Sequence, residues 1–369
     1  MMLDTPAAAD PPLAPPAIVA PAPREVSSGL VAGRAPAGTQ RIIVRIGERI
    51  LADRPLRGRT FSLTVPLPRA PVALRVTAVD GSGRRASREV RTFGLPPAAR
   101  PGLRAPSLDP VLDRTVKSLV RRYGGTSAVY VQDLRTGRGA AWNARARFPA
   151  ASTLKLAIAV TVMRSLAGKP GEGSRLELLL RDMLVRSDND AANSLEVWLG
   201  GSTLRGSDRV NETMQALGLT DSLMYGGYES QRHPSAGTPI PIRVESQPSW
   251  GIGKYTTAWD LARLARSLYL AAHGKGPLLR LGVSGPEARY LLWHRAQVAD
   301  RGKLDRFVGS EAVVMHKAGW LPTARHDSGV VAFAGGAYVA TVMTWKTGGA
   351  DELAGRVSLA ALKRFRSVG

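Results

Sequence analysis

FPAASTLKLAIAV, residues 148–160, decides how the second half of this chain is read. From Leu154 it opens a helix that is apolar on every side: Leu154, Leu156, Ala157, Ile158, Ala159 and Val160, then Val162 and Met163. A helix with no polar face belongs inside a protein. Yet Ser152 and Lys155 stand in its first turn, at the i, i+3 spacing that puts two side chains on one helix face, about 5–6 Å apart at Cβ. A lysine in apolar surroundings loses hydration, which favours its neutral form. A neutral amine within reach of a hydroxyl takes its proton and makes the serine a nucleophile. Free N–H groups at the helix N-terminus stabilise an oxyanion developing there. The plain alternative is a serine that caps the helix and a lysine that snorkels to solvent. The pair alone does not choose between them.

Two stretches downstream carry related chemistry. VRSDNDAAN (185–193) places Ser187 and Asn189 at a helix start, with Asp188 able to cap that helix. VVMHKAGW (313–320) ends an apolar strand on Lys317, then a small residue and Gly319. A lysine there is poised to meet a substrate carboxylate, and a glycine lets a ligand approach the backbone. Taken singly, the first is also a helix cap and the second an edge-strand lysine that guards against aggregation.

Taken in order, STLK, SDN and KAG follow the Ser-x-x-Lys, Ser-Asp-Asn, Lys-Thr-Gly series of class A β-lactamases and penicillin-binding proteins. Neighbouring residues extend the resemblance. SDNDAAN is similar to the family's Ser-Asp-Asn-Thr-Ala-Ala-Asn, YTTAWDLARL (255–264) to its Thr-Thr helix start, and RHDSGVV (325–331) falls on the strand after the lysine motif. The resemblance covers residues 107–369 and implies the β-lactamase/transpeptidase-like α+β fold, an antiparallel sheet flanked by helices with a helical subdomain. It implies that Ser152 is the acylated nucleophile and Lys155 its base. Ser187 would relay a proton to the leaving nitrogen, and Asn189 would bind the substrate amide and help hold Lys155. Lys317 would attract the substrate carboxylate and depress the Lys155 pKa. The backbone N–H groups of Ser152 and Trp320 would form the oxyanion hole, with Gly319 between the motif and Trp320.

The chain departs from the family pattern at four places. Ala318 replaces the threonine whose hydroxyl bonds the substrate carboxylate. Only 35 residues separate Ser152 from Ser187, which implies a more open cleft. YGGYESQRH (225–233) offers Glu229 as the base that activates the deacylating water, but Leu-Asn does not follow it. The loop 233–255 is long and rich in Pro and Gly, as lids and functional edges are. Three readings stand open: a serine hydrolase that opens β-lactam amides through an acyl-serine; a peptidase that acts on peptidoglycan D-Ala ends with the same nucleophile; or a cell-wall-binding protein without turnover.

Outside this region, 369 residues suit two domains. Residues 1–25 read as a Pro/Ala-rich linker with no legible signal peptide, of the kind that follows an export signal; an extracytoplasmic location is expected. RIIVRI (41–46), FSLTVPLP (61–68), VALRVTAV (72–79) and SREVRTF (87–93) read as short strands. They make 26–95 a small β-sandwich resembling an immunoglobulin-like module, or else a β-rich extension of the next domain. Residues 96–106 read as a second linker, and 107–369 as the catalytic domain. Helices are expected at 108–124, 175–186, 189–199, 208–217, 256–272, 286–298 and 352–366.

The 51 basic residues exceed the 29 acidic ones, giving a net charge of +22 and a pI near 11.1. Only nine of them are lysines, and the arginines are scattered without a basic tail, which argues against nucleic acid and for anionic cell-wall polymers or lipid headgroups. Cysteine is absent, so disulfides, thiolate metal sites and a cysteine nucleophile are excluded. His233, His273, His294, His316 and His326 show no metal-ligand spacing, and His316 reads as a cleft-lining neighbour of Lys317. No cofactor is expected, and the chain is expected to be a monomer.

Overall fold

A computed structural model describes residues 12–97, 100–228, 253–345 and 348–367. They fall into two compact units that part between Gly94 and Leu95. The first holds β1 (Ala17–Ala20), β2 (Glu25–Ser27), β3 (Leu30–Arg34), β4 (Thr39–Ile46), β5 (Arg49–Pro55), β6 (Thr60–Thr64), β7 (Pro71–Asp80) and β8 (Arg85–Gly94). One sheet runs β1-β3-β6 and the other β2-β8-β7-β4-β5. Val31 and Phe61 from the first sheet share a core with Ile42, Val44, Leu74, Val76 and Val90 from the second.

Two elements here depart from expectation. Residues 17–20 lie in the stretch expected to be linker, but they pair with β3 as an edge strand. Pro16 and Pro21 bracket the strand, a position where missing N–H donors cost least. RILADRP forms β5 without an alternating pattern, because an edge strand with neither face buried needs none.

The second unit begins with β9 (Ser107–Leu108), α1 (Pro110–Tyr123), β10 (Thr126–Asp133), β11 (Arg138–Trp142) and β12 (Phe148–Pro149). The helical part comes next: α2 (Lys155–Arg164), α3 (Arg175–Arg181), α4 (Asn189–Gly200) and α5 (Thr203–Ala216). Then come β13 (Tyr255–Thr256), α6 (Ala258–Ala272), α7 (Pro277–Arg280) and α8 (Gly285–Arg295). β14 (Ala312–Leu321), β15 (Ala324–Phe333), β16 (Gly336–Trp345) and α9 (Ala350–Ser367) close the chain. The central sheet has the order β14-β15-β16-β10-β11-β9. The last-made strand β16 sits at its middle, with Val129 opposite Val342 and Tyr130 opposite Thr341.

Helices cover this sheet. Leu112, Val116 and Val120 of α1 and Leu353, Val357, Ala361 and Phe365 of α9 pack on Val129, Val131, Val331, Tyr338 and Val342. Because α6 packs on the sheet as well, β16 is buried residue after residue and reads as one apolar run rather than an alternation. Asp109 caps α1 through the N–H groups of Val111 and Leu112, and it also accepts from Arg364 of α9, 3.0 Å away. The apolar stripe of α1 is Leu112, Val116 and Val120, whereas Leu108 and Val111 are exposed. The sequence pattern instead puts Leu108, Val111, Leu112, Val116 and Leu119 on that stripe; Leu108 precedes the helix, which starts at Pro110.

The expected linker 96–106 belongs to this unit: Gly102 N–H donates to Leu134 C=O and Lys275 Nζ to Pro101 C=O. The expected helix 175–186 is α3 followed by a π-turn, Asp182–Arg186, that ends in the left-handed Ser187. α5 starts at Thr203, five residues before the expected helix start, capped by Ser202.

Candidate active site

Ser152 does not lie within an α-helix. Ala151–Leu154 form a 3-10 turn, and α2 begins at Lys155. Ala151 has φ +48°, a left-handed conformation that is strained for a residue with a Cβ. The turn is held from both sides. Thr153 Oγ1 donates to Ala150 C=O at 2.6 Å, and Ala150 N–H donates to Lys254 C=O at 2.9 Å. β12, just upstream, pairs with β13. His326 has its Nε2 2.8 Å from Pro149 C=O, while its Nδ1 accepts from Thr344 N–H. That pattern requires the proton on Nε2, and burial keeps the ring neutral, its pKa lowered to about 4.

Lys155 follows one turn later, fully buried, as is every residue of α2 from Lys155 to Met163. Its Nζ donates to Ser187 C=O and to Asn189 Oδ1, each at 2.5 Å. No hydrogen bond joins this Nζ to Ser152 Oγ, the hydroxyl it was expected to reach. Burial first, and the Lys317 cation after it, lower the Lys155 pKa to about 6. The shift favours the neutral amine, in the direction that the apolar sequence around it implies.

Ser187 ends the π-turn with φ +61° and ψ +30°, a second strained non-glycine position beside the first. This conformation turns its carbonyl toward Lys155 and its hydroxyl toward Lys317, whose Nζ is 2.8 Å from Ser187 Oγ. Asp188 caps α4 through Ala191 N–H, which places Asn189 at the helix start. Lys317, in β14, is also buried; burial brings its pKa down to about 7. Gly319 brings β14 against the nucleophile: a Cβ there would stand 2.8 Å from Ser152 N. Trp320 is 61% exposed, with the Arg325 guanidinium 5.2 Å over its ring. Lys155, Ser187, Asn189 and Lys317 thus form one hydrogen-bonded chain, and Ser152 lies beside it on the turn that Gly319 faces.

Glu229 lies outside the described residues, as does the loop 233–252. His316 does not line the cleft: it is fully buried, with Nδ1 2.7 Å from Asp327 Oδ2. It points to the other side of β14 from Lys317, as strand alternation requires. Among the described residues no three His, Asp or Glu side chains converge as metal ligands.

The structure adds three residues that sequence reasoning missed. Lys155 Nζ lies 4.6 Å from the centroid of the Tyr228 ring, and so does Lys254 Nζ. Glu196 is fully buried on α4. Its place was legible, since it falls one turn after Ala192 on the buried stripe with Ala191 and Leu195. Lys254 and Tyr228 gave no sequence signal, for they meet Lys155 only through the fold.

A model of the β-lactamase enzyme family matches residues 111–170 and 167–365, and the chain belongs to that family. Solved structures resemble it over the same region. A PBP-A variant, determined as an acyl-enzyme complex with penicillin G, has TM-score 0.58 and 21% identity over 72% of this chain and 100% of its own. A β-lactamase from Sphaerobacter thermophilus has TM-score 0.52 and 21% identity over 70% and 98%. An ancestral class A β-lactamase has TM-score 0.53 and 20% identity over 69% and 100%. No protein of curated function matches the chain.

Proposed function

We propose that this chain is a serine hydrolase that opens β-lactam amides through an acyl-Ser152 intermediate. The observation that carries the reading is the buried amine of Lys155, anchored by Ser187 C=O and Asn189 Oδ1 one turn after the nucleophile. In this reading Lys155 accepts the Ser152 Oγ proton as the oxygen attacks the lactam carbonyl carbon. The N–H groups of Ser152 and Trp320 hold the oxyanion. As the C–N bond breaks, Ser187 passes a proton to the leaving nitrogen and is reprotonated from the Lys155–Lys317 side. Lys317 binds the substrate carboxylate, and Asn189 the side-chain amide. Water, activated by Glu229, then cleaves the ester. The family and the basic surface support an extracytoplasmic setting near anionic cell-wall polymer.

A second reading is a penicillin-binding peptidase directed at D-Ala ends, whose acyl-enzyme persists. It is favoured by Tyr228, because the described group facing Lys155 from the segment before Glu229 is an aromatic ring rather than a carboxylate.

A chromogenic cephalosporin, followed by colour and by intact mass, separates the two. Steady turnover supports the first reading, and a long-lived adduct on Ser152 supports the second. Absence of both refutes acyl-serine chemistry. Lys155→Ala should slow acylation about 10²–10⁴-fold; an unchanged rate would remove Lys155 as the base.

A further inference from the structure

The segment that sets Tyr228 over Lys155 is gripped by side chains with no role in the chemistry above. Asn211 bonds both backbone groups of Met224 at 2.8 Å each, and Asn193 does the same to Tyr228, at 3.0 and 2.6 Å. Between them, Ser207 Oγ lies 2.8 Å from Glu196 Oε1 and 3.1 Å from Gly226 C=O. Lys254 Nζ donates to Gly227 C=O at 2.5 Å. A buried glutamate, acting through Ser207, and a half-buried lysine therefore clasp one Gly-Gly turn, and the next residue is the ring that touches the amine of Lys155. Both side-chain nitrogens lie 4.6 Å from that ring's centroid, so they are separated by no more than twice that distance. The ring face attracts either cation, but two cations on one ring repel each other in a medium that screens poorly.

Glu196 completes the arrangement. It is fully buried, and its Oε2 has no hydrogen-bond partner among the described residues. A buried carboxylate half unsatisfied is costly unless its charge acts on something nearby.

We propose that Lys254 and Glu196 are opposed positioning charges for the base: Lys254, sharing the Tyr228 ring with Lys155, drives the proton off Lys155, and Glu196 draws it back. The proposal rests on the reading of Lys155 as the base that activates Ser152. The charged groups facing Lys155 are Lys317 on β14, Asp188 at the cap of α4, Glu196 within α4, and Lys254 ahead of β13, with the buried Tyr228 hydroxyl beside them. Burial is the largest influence on Lys155; after it, Lys317 and Lys254 lower its pKa, whereas Asp188 and Glu196 raise it. Burial also lowers Lys254 and raises Glu196, and each opposes the other's shift.

The test uses the full chain with ¹³Cε-labelled lysine. Its nine lysines allow Lys155 to be assigned by the loss of one signal in Lys155→Arg. Lys254→Met should move the Lys155 titration midpoint up by about 0.5–1 pH unit, and Glu196→Gln should move it down by a similar amount. Lys254→Arg, which keeps the charge, should restore the native midpoint. Shifts of opposite sign with this rescue support the proposal. Midpoints that stay put, or move the same way in both variants, overturn it. If Lys254→Met does not fold, the near-isosteric Glu196→Gln decides alone: a downward shift supports the proposal, and no shift or an upward one overturns it. Intact-mass acylation by benzylpenicillin is followed in parallel across pH. Absence of an adduct in the native chain defeats the acylation reading, while the lysine midpoints still judge the charge arrangement.

Discussion

Gly319→Ala tests how closely β14 is fitted to the nucleophile. The φ of Gly319 is not in the left-handed region, so alanine is allowed by the backbone and only the new methyl matters. That methyl would stand 2.8 Å from Ser152 N, 3.1 Å from Ala151 Cβ and 3.1 Å from Thr153 Cγ2. Ordinary contact begins near 3.4 Å, so β14 and the Ser152 turn must part by about half an ångström. The turn cannot yield freely, since Ala151 is already at φ +48° and Ala150 is tied to Lys254. The strand moves instead, carrying the N–H of Trp320 and the amine of Lys317. Loss of one aligned oxyanion donor costs about 10²–10³ in rate, or about 2.7–4 kcal/mol of transition-state stabilisation. Overpacking costs about 1–3 kcal/mol of stability. The acylation rate constant, measured by intact mass against a thermal-melt control, should therefore fall at least about 100-fold while the protein stays folded. A folded Gly319→Ala variant that acylates within a few-fold of the parent would refute the placement of the oxyanion hole between Ser152 and Trp320.

Two other perturbations have definite expected outcomes. For a substrate bearing a carboxylate, kcat/KM against pH should be bell-shaped: the acid limb near pH 6 reports loss of the Lys155 proton, and the alkaline limb near pH 7 reports loss of the Lys317 charge. A profile flat from pH 5 to 8 would dismiss both assignments. Asp109→Ala removes the cap of α1 and the partner of Arg364, and it should cost about 2–3 kcal/mol, or a Tm lower by about 5–10 °C. Burial alone would raise the Asp109 pKa, but the N–H of Leu112 and the Arg364 cation outweigh it and hold the carboxyl below its usual range. Its contribution is therefore present above the unfolded value and lost as pH falls through the folded one, so the Tm difference between parent and variant should shrink in acid. A constant difference would mean that the carboxylate's charge plays no part.

The catalytic unit was largely legible because its signals are local. Three apolar strands, an oily helix and three short motifs each specify their own element. The amphipathic α1 read one position off, since Leu108 and Val111 are apolar yet exposed and only the observed cap fixes the phase. The 3-10 turn at Ser152 was not legible. It depends on Gly319 and Lys254, which are distant in sequence. Lys155 reaches Asn189, as the resemblance implies, but it also bonds Ser187 C=O and not Ser152 Oγ, which the motif order does not announce. Tyr228 and Lys254 escaped because a lysine before a strand and an aromatic after two glycines carry no periodicity, whereas the burial of Glu196 was written in the stripe of α4. β5 and β1 escaped because edge strands have no buried face to write into the sequence.

The position of β16 bears on when this protein can first work. The Ser152 turn stands against a sheet whose middle strand, β16, is made after every other strand described, wedged between β10 and β15, and α9, which covers it, follows it. No shorter nascent chain can close that layer, so Ser152 is translated long before its surroundings exist. The site can therefore form only after α9 has left the ribosome, and a stop codon anywhere before residue 336 leaves an unpaired sheet rather than a partly formed site.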